Sequence, residues 1–353
     1  RTGGGGGSGS GRPGTAGMKD ALLALAGNST KPLPARVAAL YALTQRAVKA
    51  GSADSIVKAV VPLATEPGIQ RFVLRALGDA GLDGFSSGKT TATAEVYAAG
   101  LKSPDPRTRL EAIIGATRQN MKELAPQIAT QLGDADPVVA HTAFRSLAML
   151  QAADACFAVI DNASAAPAQH TGALRALMRM HLPEVVDGLI ARLPGASTPA
   201  ARSGLLGALC RLYFREGEWK GDSWGTRPDT RGPYYQPEAW SQTPKIEAVL
   251  KAELANGKPE MMAAFIAGMG RNRIELNESL QSLVTLVKKD PALLPDLVAQ
   301  LATAETIPAD VIPYLIGALK GSSSDLTKAQ AVAVLSKTDS KEGCLASLGI
   351  LGR

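Results

Sequence analysis

Four segments of this chain open on a proline and continue as an apolar helix, and the prolines recur at nearly constant spacing. They are SPDPRTRLEAIIGAT around Pro106, DADPVVAHTAFRSLAML around Pro137, AAPAQHTGALRALMRM around Pro167 and STPAARSGLLGALCRL around Pro199, in steps of 31, 30 and 32 residues. Earlier copies stand at Pro34 (PLPARVAALYAL) and Pro67 (TEPGIQRFVLRALG). A period of about 30–40 residues is the length of one helix pair. A lone pair cannot bury its apolar face, whereas stacked copies share one continuous interior.

The copies have a common local grammar. Asp105, Asp136 and Thr198 stand where a side-chain oxygen would accept from the first free N–H groups of a helix. The proline that follows occupies the first helical position, where a missing N–H costs nothing. Apolar residues then recur at helical spacing: Leu110, Ile113 and Ile114 in one copy, and Val138, Ala143, Leu147 and Leu150 in the next. Ala112, Ala116, Ala143 and Ala173 would let neighbouring helices approach closely. Partner helices lie between, as in MKELAPQIATQL and LPEVVDGLIARL, and further helices follow as NESLQSLVTLVKK, PALLPDLVAQLA, PADVIPYLIGALK and LTKAQAVAVLSK. Composition agrees: the chain is 45% hydrophobic but only 4% aromatic. A core of Ala and Leu suits close-packed helices and suits β-sandwiches poorly.

The D-x-D-P-x-V pattern and its Ala-rich helix resemble the HEAT-repeat family over roughly residues 20–340. The resemblance implies an all-α, HEAT-like right-handed α-solenoid with one aromatic-rich loop insertion. The arginine usual after the Pro-x-Val element is present as Arg36 and Arg107 and replaced by Val139. Residues 1–17 form a Gly/Ser-rich linker, and the repeat domain is expected over 18–353. The start at Arg1 and the apolar end KEGCLASLGILGR suggest an internal piece of a longer polypeptide.

The step from Pro199 to Pro259 is 60 residues, twice the period. The surplus is an insertion, about residues 215–242, inside the turn between Phe214 and a helix starting near Thr243. It contains all 3 tryptophans of the chain, Trp219, Trp224 and Trp240, with Tyr234 and Tyr235. Its charges balance, so it could satisfy itself with internal ion pairs as a compact loop packed by its own rings. Two roles are open. The rings clamp the loop to the helices, or they form a binding surface of Trp219, Trp224, Arg227, Asp229, Arg231, Tyr234, Tyr235 and Trp240. Trp, Tyr and Arg dominate interface hot spots. The expected partner is a flanking domain of the same polypeptide or another protein; a carbohydrate stacked on an indole is the alternative.

The string GEWKGDSWGTRPDTRGPYYQPEAW also resembles the HEAT segment of large exported bacterial proteins that join a sugar-dehydrogenase-like β-propeller to a C-terminal c-type cytochrome domain. The resemblance rests on Glu218, Trp219, Gly221, Trp224 to Asp229 and Gly232 to Tyr235. It implies a periplasmic or exported setting and a haem c elsewhere in the parent protein. No cofactor is expected in this chain, because it has no CxxC or CxxCH. By itself the chain is expected to be a non-catalytic scaffold; the alternative is a part of an oxidoreductase acting on sugars.

Other features point away from chemistry. Net charge is +6, but all of it comes from residues 1–50, where 7 basic residues face Asp20; the rest balances at 31 against 31. No overall basic excess remains for tracking phosphates, so nucleic acid is not an expected partner. GFSSGKTT (Gly84 to Thr91) lacks the first glycine of a phosphate loop, because Asp83 stands there; Thr90 or Thr91 would instead cap the next helix. Cys156, Cys210 and Cys344 sit in apolar helical contexts and are expected to be buried. His141, His170 and His181 are expected to be solvated or locally hydrogen-bonded. A metal site would require His141 and His170 to converge from adjacent rungs. No run of about 18 uncharged apolar residues exists to span a membrane.

Overall fold

A computed structural model describes residues 15–50, 58–66, 68–79, 94–218, 236–304 and 307–351. The chain divides into two compact units, Arg1–Leu177 and Met178–Arg353. Both are all-α helical repeats, except for one two-stranded ribbon among the described residues.

The first unit runs α1 (Thr15–Gly27), α2 (Leu33–Ala50), α3 (Gln70–Asp79), α4 (Ala94–Leu101), α5 (Pro106–Arg118), α6 (Ala125–Thr130), α7 (Pro137–Met149), α8 (Ala153–Asp161) and α9 (Pro167–Leu177). Helices α3, α5, α7 and α9 stack in that order as one row, and α4, α6 and α8 as a second. This next-but-one packing is what a repeated helix pair must adopt to bury both faces.

The caps explain where the helices begin. The Asp105 carboxylate accepts from the Arg107 and Thr108 amides, Asp136 from Val138 and Val139, and the Thr198 hydroxyl from Ala201. Helix α9 uses the reverse bond: the Gln169 side chain accepts from the Ala166 amide at 3.0 Å. Pro67 lies outside the described residues, and α3 begins at Gln70 rather than directly after it. The phosphate-loop look-alike and the capping threonines Thr90 and Thr91 also lie outside them.

The small residues do close the rows. Ala112, Ala116, Ala143 and Ala173 are fully buried. Gly78 meets Gly115 backbone to backbone: a Cβ at Gly78 would come within 2.7 Å of the Gly115 Cα. The Tyr97 ring of α4 fills the space Gly115 leaves and is fully buried, its hydroxyl held by Gln119.

A guanidinium latch ties successive rungs. Arg109 donates to both Asp134 oxygens at 2.7 and 2.8 Å and to the Ser103 and Pro104 carbonyls at 2.9 and 3.0 Å. Arg202 stands at the same register, three residues after its helix-opening proline. It bonds both oxygens of Glu253 and the Leu193 carbonyl. The latch therefore uses Arg109, not the Arg107 that the repeat pattern points to. Arg107 is exposed, while Arg36 is buried and donates to the Ala26 carbonyl at 2.9 Å.

The second unit contains α10 (Pro183–Arg192), α11 (Pro199–Leu212), strands β1 (Phe214–Glu216) and β2 (Pro237–Ala239), α12 (Thr243–Asn256), α13 (Pro259–Arg271), α14 (Asn277–Lys289), α15 (Leu294–Thr303), α16 (Ile312–Lys320), α17 (Asp325–Leu335) and α18 (Lys341–Leu351). Helices α11, α13, α15 and α17 form one row; α12 packs on α14, and α16 on α18. No described helix is long and apolar enough to cross a membrane.

Two burial expectations are corrected. Val138 is 55% exposed and Val139 takes the core position at 1%, because the proline at the first helical position turns the next side chain outward. Cys156 and Cys210 are buried, and burial pushes both thiols up to about 12. Cys344 is exposed, on a side of α18 where Leu345 and Leu348 are exposed too.

Candidate functional site

The aromatic insertion leaves the second unit through a ribbon rather than through an open loop. Strands β1 and β2 pair antiparallel, with Phe214 opposite Ala239, Arg215 opposite Glu238 and Glu216 opposite Pro237. The Gly217 amide closes the ribbon by donating to the Gln236 carbonyl at 2.6 Å. A Cβ at Gly217 would lie 2.8 Å from that carbonyl oxygen, so the approach requires glycine. Arg215 and Glu238 add a solvent-exposed ion pair across the strands, worth little by itself.

Below the ribbon, side chains pin the stem to three helices. The Trp240 indole N–H donates to the Leu212 carbonyl at 2.7 Å, satisfying an otherwise open group at the end of α11. The Trp240 amide donates to Thr243 Oγ1, and that hydroxyl donates to the Tyr213 carbonyl at 2.6 Å. Tyr213 packs edge-on against Phe214 and donates its phenol to Glu247 of α12 at 2.9 Å. His181, just before α10, donates Nε2–H to the Phe214 carbonyl at 2.7 Å and meets the Trp240 ring edge-on at 5.4 Å.

Of the predicted site residues, only Trp240 is described. It is half-buried and acts as the clamp at the base of the insertion. Trp219, Trp224, Arg227, Asp229, Arg231, Tyr234 and Tyr235 lie outside the described residues. The expectation of a local or solvated role for His181 is corrected: its partner lies 33 residues away in the chain. Nothing in the sequence around His181 signals this, because the ribbon that brings Phe214 back to it is a tertiary feature. The other two histidines do not converge on a metal. His141 packs edge-on against Phe144, and His170 bonds the Asn162 carbonyl. Among the described residues no three His, Cys, Asp or Glu gather to hold one.

Burial lowers the His181 pKa from the ordinary 6.5; the Phe214 bond opposes this, and the Arg211 and Arg215 charges add to it. A depressed histidine contributes stability that is full above its unfolded value and is lost as pH falls through the folded one. Acidification below about pH 6.5 is therefore expected to loosen the stem. His181→Gln keeps a donor but does not titrate. Melting curves across this range should fall for the wild type and stay flatter for the variant; parallel curves would refute the assignment.

No family model and no curated protein matches this chain. Solved structures that resemble it include a Kap121p mutant, 12% identical, with the match covering 95% of this chain and 43% of that one at a TM-score of 0.45. An engineered protein matches at 16% identity over 95% of this chain and 92% of its own, with a TM-score of 0.37. Human deoxyhypusine hydroxylase in complex with glycerol matches at 14% identity, over 80% and 94% of the two chains, with a TM-score of 0.30. The chain spans less than half the length of the Kap121p chains it matches. The fold class stands on the helix order and packing described above, not on these distant likenesses.

Proposed function

We propose that this chain is a non-catalytic interaction scaffold whose specific contact is the aromatic insertion. The pinned stem carries the proposal. Trp240, His181, Thr243 and Tyr213 hold the two ends of the insertion against α10, α11 and α12. A loop on a rigid support loses less entropy on binding than a free one. Trp219, Trp224, Tyr234 and Tyr235, with Arg227, Asp229 and Arg231, are the proposed contact residues, and a flanking domain of the same polypeptide is the proposed partner. The resemblance of the insertion string extends the proposal to an exported parent protein with a c-type haem outside this chain.

The test is the double variant Trp224→Ala/Tyr235→Ala. Binding to separately expressed flanking domains, read by calorimetry, should fall by at least tenfold, since two hot-spot rings are worth about 2 kcal/mol or more. Helical circular dichroism should not change. Loss of helicity would make the insertion a structural plug, and unchanged binding would remove it as the contact. A fluorescence response to an oligosaccharide panel would favour the carbohydrate reading instead.

A further inference from the structure

The first unit separates its charges by row. Helices α3, α5, α7 and α9 contain no lysine and only two acids, Asp79 and Glu111, against a series of arginines. The other row, α4, α6 and α8, contains Glu95, Asp154 and Asp161 and no basic residue. Residues 51–353, balanced as a whole, are thus strongly basic on one row of helices.

All of these arginines except Arg109, which is held in the latch to Asp134, share one face. Arg71 and Arg75 lie one turn apart on α3, and Arg145 and Arg175 each stand eight residues after the proline that opens their helix. Side-chain contacts tie this edge from α3 to α5 and from α7 to α9, and α5 packs on α7 between them. Arg75 reaches Glu111 on α5 at 3.4 Å, Arg118 on α5 pairs with Asp79 on α3, and the Arg175 guanidinium lies 4.4 Å over the Phe144 ring of α7. The two acids are spent on Arg75 and Arg118. Arg107 and Arg145 are exposed and have no carboxylate in ion-pair reach among the described residues. The Arg71 and Arg175 guanidinium carbons lie 4.6 and 4.4 Å over the Phe72 and Phe144 rings, a placement that leaves hydrogen-bond donors for a planar anion.

The geometry points to a docking surface for an extended acidic segment of a partner protein. Packed helices lie about 8–10 Å apart. A polyproline II strand advances about 9 Å per three-residue turn and repeats its side-chain direction at that interval. An acidic residue at every third position would therefore meet one rung each. Phosphates of a duplex strand instead wind around the axis once in about 10 base pairs, so phosphates one rung apart point in different directions. Asp105 and Asp136, at the N-termini of α5 and α7, border the row and disfavour a broad polyanion. This surface is independent of the insertion, so either proposal can fail without the other.

The test is fluorescence anisotropy with a labelled Glu-Pro-Pro repeat peptide long enough to cross α3 to α9, a Gln-Pro-Pro counterpart and a single-stranded oligonucleotide of equal charge. Saturable binding is expected for the Glu peptide alone. Arg145→Glu/Arg175→Glu should weaken it roughly tenfold or more, from the loss and reversal of two contacts. Arg145→Lys/Arg175→Lys should recover part of it, and Trp224→Ala should leave it unchanged. Arg107→Glu, whose side chain touches no described acid, repeats the test should the double variant melt early. Equal binding of the Glu and Gln peptides, or charge-reversed protein that binds like wild type, would overturn the inference. A preference for the oligonucleotide would overturn it too.

Discussion

Gly115→Ala is expected to destabilise the protein by about 2–3 kcal/mol, the usual cost of forcing a methyl group into a filled core. The added Cβ would lie 2.3 Å from Cε1 of Tyr97. That ring has little room to move: Tyr97 is fully buried, and its hydroxyl is held by Gln119, which also donates to the Leu77 carbonyl at 2.7 Å. On the opposite side, the Gly115 Cα already lies against Gly78. Helix propensity alone argues the other way, because alanine is favoured over glycine in a helix interior by about 1 kcal/mol. Gly207, in α11, supplies the control, since a Cβ there meets nothing within 4 Å. Gly207→Ala should stabilise by roughly 0.5–1 kcal/mol. Denaturant unfolding of both variants reads the two signs. A Gly115→Ala protein as stable as Gly207→Ala would show that α4 and α5 are not packed as described.

Asp134→Ala should cost about 3 kcal/mol, because it strands a guanidinium in a largely buried place. The Asp134 side chain is 6% exposed and that of Arg109 17%. The same carboxylate also accepts from the Asp136 amide at 2.8 Å, and Asp136 in turn caps α7. One substitution thus opens the latch and loosens the start of the next helix. Burial by itself would raise the Asp134 carboxyl, but the Arg109 and Asp136 bonds outweigh it and hold the group below its ordinary 3.8. A depressed carboxylate contributes stability above its unfolded pKa that is lost as pH falls through the folded one. The wild type should therefore lose this contribution below about pH 4, and Asp134→Ala should show a shallower acid limb there. A double-mutant cycle with Arg109→Met isolates the pair. A coupling energy near zero would mean that the latch is incidental.

Much of the local structure was readable from residues alone because its causes are local. A capping oxygen followed by proline at the first helical position acts within one turn, and Asp105, Asp136 and Thr198 all cap as expected. Burial of Ala112, Ala143 and Leu147 follows from helical spacing. What failed depended on orientation or distance. Val138 and Val139 are equivalent in hydropathy, and only the entry angle of α7 decides which is buried. Arg107 fits the repeat pattern, but Arg109 projects from the turn of the helix that faces Asp134. For the candidate site, the sequence located the insertion and its rings but not its anchoring. Ribbon pairing and the His181–Phe214 bond join segments far apart in the chain, and seven of the eight predicted contact residues lie outside the described structure.

By itself the sequence determined a stack of capped helix pairs with an Ala/Leu interior and one ring-rich interruption. Capping, periodicity and side-chain size act within a single repeat and are written there. Only the tertiary structure decided which charges share a surface. Arginines spaced about one repeat apart have no relation along the chain, and they become neighbours when α3, α5, α7 and α9 stack with the same face outward. The balanced charge of residues 51–353 therefore concealed a basic row, because a sum along the chain contains no direction in space.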